Sequence, residues 1–139
     1  MKIVCDTNVL VSGILFRGHP RRILLLVTRG RLTNFTSPAL LREAEDVLRR
    51  PKFSLHPSQV ANILVLFRET FGLVYPTRSV TAISEDPADN RVLEAAGAAA
   101  VDVIVSGDHH LLALKEWQGI RVLSPADFTE EMGHQCLDD

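Results

Sequence analysis

A chain of 139 residues that is 46% hydrophobic and 23% charged has the length of one domain and the apolar content to build a core, which excludes a disordered tether. The net charge of −2 is unevenly spread: residues 1–84 carry 12 Lys and Arg against 5 acids, and residues 85–139 carry 3 against 12. A basic first part (+7) suits a polyanion and an acidic second part (−9) suits a cation, while solvated helix faces would leave the same imbalance.

In chain order, strands and helices alternate. "KIVC" (2–5) is a short apolar run that stops on Asp6, as a buried strand does. Residues 7–16 and 20–30 read as helices broken at "RGHP". "TNFTS" (33–37) is a second strand, and Ser37 with Pro38 has the form of an N-cap followed by proline at the first helical position. "ALLREAEDVLRR" continues that helix to Pro51, and residues 57–71 form another. "GLVYP" (72–76) is a third strand. A helix starts on Asp86 and Pro87 and runs through "DPADNRVLEAAGAAA". "DVIVSGD" (102–108) is a fourth strand, again ending on an acid, then comes the short helix "HHLLALK" and a fifth strand, "IRVLSP" (120–125). Residues 1–128 are expected to form one domain, and the polar stretch 129–139 a tail that frays. This alternation predicts a parallel sheet covered on both faces, with ligands bound beyond the carboxyl ends of the strands.

Cys5 and Cys136 stand at opposite ends without metal spacing, which fits a reduced, cytoplasmic protein. "MKIVCD" reaches an acid before any long apolar run, so no signal peptide is expected, and no stretch is long enough to span a membrane.

Four acids stand out. Asp6 and Asp108 end strands, where capping or turn formation would also explain them. Asp89 precedes Val92 by three and Leu93 by four, so it shares the apolar stripe of Val92, Leu93, Ala96, Ala99 and Ala100. A carboxylate there is costly unless it is paired. Capping explains Asp86 better than it explains Asp89. On the 38–50 helix, Leu40, Ala44, Val47 and Leu48 define the apolar face; Glu43 flanks one edge and Glu45 the other, and periodicity does not choose between them. Carboxylates gathered at one sheet edge repel one another, and a hard divalent cation relieves the repulsion. Oxygen ligands suit Mg²⁺ or Mn²⁺, and such a site suits metal-assisted hydrolysis of a phosphodiester. His109 and His110 beside Asp108 raise zinc, but no further Cys or His stands at ligand spacing.

Taken in order, "KIVCDTNVLVSG", "SPALLREAEDVL", "DPADNRVLEAA" and "VDVIVSGDHHLL" resemble the PIN domain family, and within it the toxin components of toxin–antitoxin systems related to VapC. The resemblance runs from Lys2 to about Phe128. It implies a three-layer α/β/α sandwich with a central parallel five-stranded sheet, and a metal-dependent ribonuclease. It implies that Asp6, Glu43, Asp89 and Asp108 are the catalytic, metal-holding acids, supported by Asn8, Asp86 and Ser106. It thereby selects Glu43. It further implies Mg²⁺ or Mn²⁺ as cofactor, an RNA substrate, a small antitoxin protein as partner and a homodimer or higher homo-oligomer.

Nine of the 15 basic residues lie between Arg17 and Lys52. Arg17, Arg21, Arg22, Arg49 and Arg50 are the candidate RNA contacts, since an acidic site repels RNA unless a basic rim offsets it. The unbroken apolar run Ile23–Val27 exceeds one buried stripe, which suits an interface with another chain or a helix buried on two sides. A haloacid-dehalogenase-type phosphatase needs a second Asp where Asn8 stands. A receiver-domain switch wants an acid pair near the start and a lysine after "IRVL", and has neither here. An RNA-binding or scaffolding protein of the same fold, without efficient catalysis, is the alternative reading.

Overall fold

Six strands form one sheet in the order β3-β2-β1-β4-β6-β5. They are β1 (Lys2–Cys5), β2 (Thr33–Thr36), β3 (Gly72–Leu73), β4 (Val103–Val105), β5 (Glu116–Trp117) and β6 (Ile120–Leu123). The structure is a computed structural model that describes residues 1–82 and 87–136. Asp86, and with it the expected helix start at that residue, lies outside the described residues.

The helices are α1 (Thr7–Leu15), α2 (His19–Thr28), α3 (Pro38–Leu48), α4 (Pro57–Thr70), α5 (Pro87–Ala99), α6 (His109–Leu112) and α7 (Pro125–Cys136). Alternation along the strands divides the core. Ile3, Cys5, Val103 and Val105 face α1, α2, α3, α4 and α7. Val4 and Ile104 face the opposite way, into a second cluster with Val92, Leu93 and Ala96 of α5. Strands buried on both faces read as continuous apolar runs for this reason. The result is the expected α/β/α layering.

The sheet departs from the expected five parallel strands. β5 is a sixth strand at the edge and pairs antiparallel with β6. Gln118 (φ 50°) and Gly119 (φ 81°) make the two-residue turn between them. Positive φ at both central positions is the turn that suits a tight hairpin. Two residues are too few to show a periodicity, so the pattern along the chain gives no sign of β5. β3 is also shorter than the run 72–76 suggests. Ala100 is exposed at φ 51°, beyond the end of α5, and so drops out of the expected stripe.

Residues 129–136 of the expected tail are instead helix. α7 continues to Cys136, because Phe128 and Met132, one turn apart, are buried in the core against α2. Glu130 and Glu131 face solvent, which makes the sequence look like a tail. Thr129 is buried, with its hydroxyl 2.7 Å from His19 Nδ1. The run Ile23–Val27 is likewise explained within the chain: Ile23, Leu24, Leu26 and Val27 are buried, and only Leu25 is exposed.

α1 and α2 meet through Gly13. A Cβ there would lie 2.6 Å from Leu24 Cδ1 and 2.9 Å from the carbonyl oxygen of Pro20. Leu24 can shift; the backbone oxygen cannot do so without moving α2. Gly13→Ala is therefore expected to cost about 1–3 kcal/mol, the usual range for overpacking. Urea unfolding of the two chains would read this, and an unchanged midpoint would show that α2 slides freely on α1.

Candidate active site

β1 is central, with β2 on one side and β4 on the other, so the direction of winding reverses between β1 and β4. Cys5 and Val105 are register partners at the carboxyl ends of these two strands. In parallel sheets this junction is where ligands bind. Asp6 and Ser106 follow directly, and the Asp6 amide continues the pairing by donating to the Val105 carbonyl at 3.0 Å.

Asp6 is the N-cap of α1: Oδ1 accepts from the Val9 amide at 2.9 Å. Capping occupies one oxygen only. Oδ2 accepts from the Ser106 hydroxyl, and Asp6 is 6% exposed. The same Ser106 oxygen accepts from the Asp108 amide at 3.0 Å. A fully buried serine thus ties together the acids that follow β1 and β4. Asp108 caps α6 in turn, accepting from the His110 amide at 2.8 Å.

Glu43 comes from α3. Ser37 caps that helix from the end of β2, its hydroxyl accepting from the Leu40 amide at 3.2 Å, and Pro38 follows as expected. Glu43 Oε2 accepts from the Thr7 hydroxyl at 2.9 Å. Glu45 makes a 2.8 Å pair with Arg49 instead. The helical wheel is symmetrical between the two glutamates; the position of α1 is not. Asp89 stands in the first turn of α5, 7% exposed, with Oδ2 4.0 Å from His110 Nδ1.

These side chains line one cleft of about 40 Å³, together with Thr7 and the exposed Asn8. About 10–15 Å³ of such space admits one water, so the open cleft has room for an ion with a few waters or phosphate oxygens. A larger hollow of about 160 Å³ between α2 and α7 is lined mostly by Leu25, Leu26, Met132 and two arginines, and has no acid.

The electrostatics match the crowding. Asp6 is held above the ordinary carboxylate range, chiefly because burial disfavours its charge and further because Asp108 is near. Hydrogen bonds from Ser106, Val9 and Asn8 offset this only in part. For Asp108 burial also acts upward, but the net shift is downward. The His110 amide, a hydrogen bond with the Asp89 carboxyl, the Leu111 amide and the His110 ring all favour its charge. Carboxylates gathered this closely repel one another, and a bound cation would relieve that repulsion.

The structure brings Asp6, Asn8, Glu43, Asp89, Ser106 and Asp108 together. It does not bring the five arginines to the cleft. Arg17 follows the far end of α1, roughly 14 Å along the axis from its first turn. Arg21 is committed to the carbonyls of Gly13 (3.2 Å) and Ile14 (2.8 Å) and closes the carboxyl end of α1. Arg49 holds Glu45, and Arg50 lies past the end of α3. Arg22 is exposed on α2, beside the larger hollow. No basic side chain lines the acidic cleft among the described residues. Two residues that sequence reasoning gave no role do belong here. Thr7 was visible only as a hydroxyl next to Asp6, and His110 was visible only as half of a histidine pair.

Residues 2–110 match the family model of the PIN domain. Over 143 aligned residues the chain is 27% identical to the uncharacterized protein MJ1680 of Methanocaldococcus jannaschii, covering 94% of this chain and 91% of that one. Its fold is similar to a chain of VapBC2 from Rickettsia felis, solved bound to a DNA fragment from their promoter, at a TM-score of 0.61 and 15% identity over 89% of this chain and 98% of that one. It is similar also to PAE2754 from Pyrobaculum aerophilum, at a TM-score of 0.60 and 14% identity over 97% and 100%. The family match spans most of the sequence and includes Asp6, Glu43, Asp89 and Asp108, and on that ground the chain belongs to the PIN domain family.

Proposed function

We propose that this chain is a divalent-metal-dependent endoribonuclease that hydrolyses RNA phosphodiester bonds, and that it is the toxin of a toxin–antitoxin pair. One observation carries the reading: four carboxyl side chains from four separate elements converge on one cleft at the switch point of the sheet. Asp6, Glu43, Asp89 and Asp108 offer oxygen donors only, and hard oxygen sets suit Mg²⁺ or Mn²⁺. The upward pull on Asp6 from burial and from Asp108 is the strain that a dication in the cleft would remove. When bound, such an ion supplies activation of water and neutralises charge building on the phosphate and the leaving oxygen.

The chain's own residues have separable tasks in this reading. Asp6, Glu43, Asp89 and Asp108 hold the ion. Ser106 fixes the spacing of Asp6 and Asp108 through its two hydrogen bonds. Thr7 orients Glu43. Asn8 is exposed at the mouth, where its amide is free to meet a substrate phosphate or ribose. The antitoxin partner is drawn from the likeness of fold to the VapBC2 chain, which is an analogy of fold.

The test is cleavage of an end-labelled mixed RNA pool by the full chain with Mn²⁺, with Mg²⁺ and with chelator. Cutting is expected with metal and is lost with chelator. Cutting that persists in chelator overturns the metal reading. No cutting, together with no metal uptake by calorimetry, overturns the enzyme and leaves an RNA-binding or scaffolding protein.

A further inference from the structure

The His110 ring nitrogen Nδ1 faces two of the acids of the cleft. It lies 3.6 Å from Asp108 Oδ1 and 4.0 Å from Asp89 Oδ2. That nitrogen is buried and makes no hydrogen bond, although the ring as a whole is about one-third exposed. An imidazole nitrogen that faces two carboxylates without bonding to either is short of a partner. The ring is held in place from behind. His109 packs against it with centroids 4.0 Å apart, and the next residue, Leu111, is fully buried and anchors α6. The His110 amide simultaneously fixes Asp108.

The spacing suits a shared ion. Metal–ligand bonds of about 2.1 Å put two donors on one ion roughly 3 to 4.2 Å apart, depending on the angle between them. Both distances from Nδ1 fall in that span. Donor atoms of Asp108, His109 and His110 also lie within 4.8 Å of one another. Of the two histidines, His110 is the one with Nδ1 facing both acids, and His109 is exposed.

We propose that His110 Nδ1 is a nitrogen ligand of the metal held by Asp89 and Asp108, and that it biases the cleft toward a transition-metal ion such as Mn²⁺ over Mg²⁺. The inference rests on the metal reading given above and adds to it a donor that is not a carboxylate. Its physical basis is ligand preference. Imidazole nitrogen gains more from a first-row transition ion than from Mg²⁺, which prefers oxygen and sheds its waters reluctantly. An all-carboxylate cleft discriminates less between the two.

The test uses the full chain loaded with Mn²⁺ and read by pulsed electron paramagnetic resonance, with calorimetric titration of Mn²⁺ and Mg²⁺ alongside. Wild type is expected to show nitrogen modulation from a coordinated imidazole. His110→Ala is expected to bind Mn²⁺ without that modulation and about tenfold more weakly, with Mg²⁺ affinity within about twofold of wild type. His109→Ala is expected to keep the modulation. Bound Mn²⁺ without nitrogen modulation in wild type overturns the proposal alone. So does modulation that survives in His110→Ala, or an equal loss of both ions in that variant. Wild type that takes up neither ion overturns the metal reading beneath it. His110→Asn, which keeps a polar side chain, serves as the second variant if His110→Ala fails to fold.

Discussion

Asp6→Asn is expected to lower RNA cleavage on the order of a thousandfold while making the metal-free protein more stable, not less. The two effects share one cause. Asp6 is buried and its carboxyl is held above the ordinary value, first by burial and then by the Asp108 charge. For an acid raised in the folded state, stability is greatest below the unfolded value near 3.8 and falls as pH rises through the folded one. As pH rises above the unfolded value the metal-free chain pays a growing penalty for the buried carboxyl, and asparagine removes it. Asparagine also remains a good N-cap, so the bond to the Val9 amide is retained.

Metal reverses the order. Wild type at a hundred times its dissociation constant gains about 2.7 kcal/mol, and a variant that does not bind gains nothing. Melting curves of both chains, each with chelator and with Mn²⁺, should therefore cross over. Equal metal stabilisation of wild type and variant would remove Asp6 from the ligand set. A lower melting temperature for the metal-free variant would mean that the cap and the Ser106 bond outweigh the cost of the buried charge.

Asp108 responds to pH in the opposite sense. Its carboxyl is held low, so its contribution is present above the ordinary carboxylate range and is lost as pH falls through its folded value. Two acids joined through one serine thus pull stability in opposite directions as pH changes.

Leu93→Ala is expected to cost about 2–5 kcal/mol, a large part of the roughly 5–15 kcal/mol that holds a domain of this kind together. Leu93 is fully buried in the cluster that packs α5 against Val4 and Ile104 of the sheet. It is also one turn beyond Asp89 on the same helix. Loosening that contact moves an acid of the cleft as well as opening a cavity. Urea unfolding should show the lower midpoint, and calorimetry on the folded fraction should show weaker Mn²⁺ binding. A loss below about 1 kcal/mol would mean that α5 settles onto the sheet and refills the space.

Much of this protein was legible in the chain, and the legible parts share a reason. β1 and β4 announce themselves because strands buried on both faces are apolar along their buried length. Ser37 and Pro38 announce α3 because capping is a local bond. Asp89 stood out because it sits on an apolar stripe, a conflict visible within a single turn of helix. The arginine rim is the opposite case. Arg17, Arg21 and Arg22 are near Asp6 in sequence, but α1 carries the chain away from the cleft, so proximity along the chain became distance in space.

The order of elements, the layered α/β class and the identity of the strand-end acids follow from the sequence alone, since each depends on patterns within a few residues. Tertiary structure alone decided three things, and it gave the physical reason for a fourth: Glu43, which the resemblance implies and periodicity leaves open, faces the cleft rather than Glu45 because α1 brings Thr7 to one edge of α3. It decided that residues 129–136 are helix, because Met132 finds α2. It decided that β5 exists, because two residues hold a strand only when β6 is beside them. And it decided that His110 looks at Asp89 and Asp108, because α5 and α6 start at the same edge of the sheet. For Glu43, for α7 and for the approach of His110 to Asp89 the deciding partner is distant in the chain, and no periodicity along the sequence records a distance across the fold.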